Sequence, residues 1–134
     1  MSRDFYTGKY ALSKEELLSA KYYALRYNGW LAEYNSLKDS VSAVVVDDMP
    51  HGKGGTSDPT ERLAARRAEL RAKMELIEDA AKETNPDVAR YIMIMATTKG
   101  MTFERIKAEH NLPYERAQFY HYRRKFYYLL SKKI

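Results

Sequence analysis

The 134-residue chain contains no cysteine, which excludes both a disulfide framework and a thiolate metal site. Proline is sparse. Pro50, Pro59, Pro86 and Pro113 each fall in a glycine-rich connection or at a helix start, where a missing backbone N–H costs an all-helical chain little. The apolar runs are too short to cross a bilayer, and no signal peptide opens the sequence, so a cytoplasmic protein without membrane contact is expected. His51, His110 and His121 lack metal-ligand spacing, no nucleophile and base are paired, and the acids read as helix caps and solvated faces. Neither a cofactor nor catalysis is therefore expected. Convincing strands are missing too, because the β-branched run Val44 to Val46 has no second strand to pair with.

Helix signals are plentiful. Ser13 and Glu16 have capping-box spacing, which predicts a helix from Ser13 to about Lys38 with Leu17, Leu18, Tyr22, Leu25 and Trp30 on its apolar stripes. Gly29 within it costs roughly 1 kcal/mol relative to alanine, so it is expected to mark close packing or a slight bend. Ahead of this helix, residues 1–12 carry Phe5, Tyr6 and Tyr10 and suit an arm that packs its aromatics without regular structure. Residues 41–58 read as a flexible linker; the HGKGGTS stretch inside them lacks the spacing of a phosphate-binding loop.

Asp58, Pro59 and Glu61 open a second long helix, expected to reach about Glu83. Leu63, Leu70 and Ile77 recur every seven residues along it, a narrow seam that suits contact with one other helix. That partner is either the first helix, antiparallel within the monomer, or a second copy of the chain. Asn85 and Pro86 start a third helix, closed by Gly100 and apolar nearly all round. The expected fold is all-α: a two-helix antiparallel or coiled arm over residues 1–84, then a C-terminal helix-turn-helix bundle over 85–134.

Residues 101–134 hold the helix-turn-helix. Thr102 caps a short helix that buries Phe103 and Ile106, Asn111 suits a left-handed turn position, Leu112 plugs the turn and Pro113 starts the last helix. Eight cations lie here (Arg105, Lys107, Arg116, Arg123, Arg124, Lys125, Lys132, Lys133) against three acids (Glu104, Glu109, Glu115). The segment's balance of +5 equals that of the whole chain. A polyanion is the natural partner for so local a field.

The pattern Gly100, Met101, Thr102, Glu104, Ile106, followed by Arg116, Gln118, Phe119, Tyr120, Arg123 and Phe126, resembles phage and prophage late-transcription regulators of the RinA and ArpU type. It also resembles, more distantly, the region-4 helix-turn-helix of bacterial sigma-70 factors. Lys107, Asn111 and Pro113 depart from the sigma pattern. The resemblance implies a sequence-specific transcription regulator in a bacterial host cell, with its last helix in the major groove of double-stranded DNA. Tyr114, Glu115, Arg116 and Gln118 would then reach base edges, with His121 on the same polar side, and Arg123, Arg124, Lys125, Lys132 and Lys133 would neutralise phosphates. RNA polymerase and a second copy of the chain are the further partners that this reading carries. Two alternatives stay open: a small terminase-like DNA-packaging subunit, and a phage inhibitor that binds an acidic host protein.

Overall fold

The structure is a computed structural model describing residues 8–46 and 59–134, the side chains of residues 39–46 excepted. Residues 1–7 of the expected arm and 47–58 of the expected linker lie outside the described residues. Among those described, the chain is all helical, in the order α1 (Lys14–Leu25), α2 (Tyr27–Val46), α3 (Pro59–Thr84), α4 (Ala89–Thr97), α5 (Phe103–His110) and α6 (Arg116–Lys133). No helix among them is long and apolar enough to cross a membrane.

The capping box forms at the start of α1. The Glu16 N–H donates to Ser13 Oγ at 3.0 Å and the Ser13 N–H to Glu16 Oε1 at 2.9 Å, which satisfies two amides that the first turn leaves open. The helix then stops earlier than its apolar stripes predict. At Arg26 the backbone N–H turns to the Tyr23 carbonyl at 3.1 Å, a tightened turn that ends α1, and α2 begins at Tyr27. Gly29 marks no close approach; it sits within α2, with no heavy atom within 4 Å of where a Cβ would stand. The run Val44 to Val46, expected within the connection either to tuck into the core or to extend a frayed helix end, completes α2.

By their contacts the residues form two units: residues 1–27 with 75–134, and Asn28–Met74. The expected boundary after residue 84 follows the order of the chain, whereas α1 and the end of α3 group by contact with the C-terminal helices. The smaller unit is an antiparallel helix pair. Residues 30, 33 and 34 of α2 meet 73, 66 and 67 of α3: the Arg66 guanidinium grips Glu33 with two bonds of 2.7 and 3.0 Å, Arg67 lies 4.2 Å over the Tyr34 ring, and Lys73 stands 5.6 Å over Trp30. Trp30, Leu70 and Met74 are the buried apolar side chains among the described residues of this unit.

In the larger unit, α1 packs on α6 and α4, and α4 packs on α5 and α6. Val88, Ile92, Ile106, Phe119, Phe126 and Leu130 are buried there almost completely. Two of its helices begin three residues later than proline placement predicts. Asn85 Oδ1 accepts the Asp87 N–H at 2.8 Å and its carbonyl accepts the Val88 N–H at 3.1 Å, so residues 86–88 form a turn and α4 starts at Ala89. After α5, Asn111 adopts the expected left-handed conformation (φ 52°, ψ 47°) and Leu112 is buried. Pro113 and Tyr114 then continue the connection to Glu115, the residue that precedes α6.

Candidate nucleic-acid interface

Five residues connect α5 to α6, and their path decides which side of α6 is left open. Leu112 anchors the turn inside, while the Tyr114 ring lies edge-on to Tyr91 of α4 at 6.2 Å and to Tyr122 of α6 at 5.8 Å. Burial, and secondarily the charge of Asp87, pushes the Tyr114 hydroxyl above the ordinary tyrosine range. Glu115 caps the helix from an exposed position but its side chain makes no cap hydrogen bond.

At 100° per residue, Gln118, His121 and Lys125 fall within about 60° of one another, opposite the buried stripe of Phe119, Phe126 and Leu130. Gln118 and His121 are exposed, Lys125 is half-exposed, and half-exposed Arg124 borders them. Aromatic rings continue this face. Tyr122 meets His121 at 5.7 Å, His121 meets Tyr10 at 6.0 Å and Tyr10 meets Tyr128 at 5.4 Å, all edge-on or tilted. Through Tyr114 and Tyr91 the line of rings reaches Arg90, whose guanidinium stands 4.7 Å over Tyr91. Lys132 closes the other end, 5.0 Å over Tyr128 and 4.0 Å from Glu16 Oε2.

The structure does not gather every expected DNA-binding residue here. Arg116 is exposed, yet it donates to the Glu104 carboxylate and to the Tyr120 hydroxyl at 3.2 Å, and stands 4.9 Å over the Phe103 ring. It therefore ties α6 to α5. The bond from Arg116 also holds the Glu104 carboxyl below the ordinary glutamate range. Arg123 lies on nearly the opposite side of α6 from Lys125, over Tyr120 and Tyr127, facing α1 and the end of α4. Lys133 binds Glu83 at 2.7 Å. Sequence reasoning missed Tyr91, Tyr122 and Arg90 as members of the face. Twelve tyrosines in 134 residues were the available signal, but only tertiary contact shows which of them adjoin.

Among the described residues no three His, Asp or Glu side chains converge to hold a metal ion. No protein-family model, curated protein or solved structure matches the chain. Any function must accordingly be argued from this face and its charge. The unit of Asn28–Met74 has seven cationic and seven acidic residues, so the entire balance of +5 belongs to the unit that contains α6.

Proposed function

We propose that the chain is a sequence-specific DNA-binding transcription regulator of the phage type that its C-terminal motif resembles, with α5 and α6 as its helix-turn-helix. The observation that carries this reading is the pairing of a left-handed Asn111 turn with a face of exposed Gln118 and His121 and half-exposed Lys125, in the unit that holds all the net positive charge. The N-terminal half of α6 enters the major groove, where the Gln118 carboxamide has the donor and acceptor pair to read adenine. Lys125 and Arg124 meet phosphates on either side and displace counterions from them. Arg116 reaches a base only by exchanging Glu104 for DNA, so its contribution is conditional on that exchange. The antiparallel pair of α2 and α3 has the self-association role in this reading.

Selection of bound sequences from random duplex DNA tests the proposal. Enrichment of one shared motif supports it. Absence of duplex binding even at low salt would refute it and favour the reading as a binder of acidic host protein.

A further inference from the structure

Arg123 stands away from the outer face of α6, over the Tyr120 and Tyr127 rings. On its side of the helix, α1, the end of α4 and the turn at 98–101 enclose a groove of about 260 Å³. Leu18, Leu25, Met95, Met101 and Tyr127 supply apolar wall, and Tyr22 stands at the same groove with 63% of its surface exposed. Two cations, Lys21 and Arg123, line the groove together with no carboxylate among the lining residues. Burial first, and then the neighbouring Arg123 charge, holds the Lys21 amine below the ordinary lysine range. Like charges brought together beside apolar wall repel in a medium that screens them poorly, and an anion placed between them reverses the sign of that interaction.

We propose that this groove is a binding site for a small organic monocarboxylate, its anionic end between Lys21 and Arg123 and its apolar body against Leu18, Leu25 and Met95. The volume lies just under that of pockets for drug-sized ligands, which sets the ligand small. The guanidinium suits a carboxylate because its planar fork can donate two parallel hydrogen bonds. Apolar walls disfavour a bare inorganic anion, which would lose hydration without gaining buried surface. The site is independent of DNA recognition, since Gln118 and Lys125 point away from it.

Methionine-methyl NMR of the full chain provides the test, with phenylacetate as probe, 2-phenylethanol as its neutral counterpart and acetate as the charge without the body. Met95 and Met101 line the groove, whereas Met74 and Met93 do not. Phenylacetate should shift the first pair saturably and leave the second pair in place, with the alcohol and acetate each binding at least about tenfold more weakly. Lys21→Gln should weaken phenylacetate roughly tenfold and Lys21→Arg should restore it. Absence of a shift at Met95 and Met101 up to about 10 mM, or equal binding of acid and alcohol, overturns the proposal. So does an undiminished response in Lys21→Gln with its Met74 and Met93 signals intact. The comparison of acid and alcohol in the unaltered chain decides the matter even if that variant fails to fold.

Discussion

Replacing Gly29 by alanine should stabilise the protein, and the same change at Gly100 should destabilise it, although both positions have open space around them. At neither would a new Cβ meet a heavy atom within 4 Å. What differs is the backbone. Gly29 lies inside α2 without a positive φ, so alanine fits its conformation and restricts the unfolded chain more than glycine does. The gain should be about 1 kcal/mol, the helix-interior difference between the two residues. Gly100 has φ +78°, where an L side chain crowds its own backbone, and alanine there should cost about 1 kcal/mol. Trp30, the single tryptophan, neighbours Gly29 and is buried, so its emission during urea unfolding reports on the unit concerned. With a typical urea slope, 1 kcal/mol moves the midpoint upward by roughly 0.5 M. Gly100→Ala is better followed by the 222 nm ellipticity on heating, where a comparable loss lowers Tm by roughly 4 °C. A fall in midpoint for Gly29→Ala would refute the reasoning, because it would mean that something packs against that position and excludes a methyl group.

Asn111→Gly should leave stability nearly unchanged, whereas Asn111→Val should cost roughly 1–2 kcal/mol in urea unfolding, since a β-branched residue resists the left-handed conformation. Equal stability of the two variants would contradict the turn geometry. Phe126 is fully buried, and Phe126→Ala should cost about 3–5 kcal/mol by the same assay; a loss below about 1 kcal/mol would show that it does not fill the core. Three carboxyls, Glu16, Glu33 and Glu104, are held below the ordinary glutamate range, first by hydrogen bonds from Ser13, Arg66 and Arg116 respectively. The unfolded chain thus binds more protons than the folded one near pH 4, and stability complete above that range is lost as pH falls through and below it. The triple glutamine variant should show a shallower acid limb in thermal melts between neutral pH and pH 3, and an unchanged limb would contradict the assignment.

Local chemistry made part of this structure legible beforehand. The capping box at Ser13 and the left-handed turn at Asn111 depend on a few adjacent residues, and both stand where the sequence places them. The starts of α4 and α6 were displaced because proline tolerates a first helical turn without enforcing one. Asn85 closes a turn of its own, and Tyr114 is held by rings from two other helices. The side of α6 on which a cation stands was harder still. Arg123 and Lys125 differ by two positions, which on a helix reverses their direction, so a count of basic residues merged two surfaces into one. For Arg116, the deciding partner Glu104 belongs to another helix, and composition alone does not pair them.

The outer face of α6 is tested most directly by duplex affinity across a series of salt concentrations, measured by fluorescence anisotropy on the selected sequence and on random DNA. Gln118→Ala should lose roughly 1–3 kcal/mol on the selected sequence and much less on random DNA, while Lys125→Ala should weaken both alike and flatten the salt dependence by about 0.9. Arg123→Ala, on the other side of the helix, should leave that slope unchanged. If Gln118→Ala and Lys125→Ala variants that remain folded bind as the parent does, or if only Arg123→Ala alters the slope, then this face of α6 is not the DNA-reading surface.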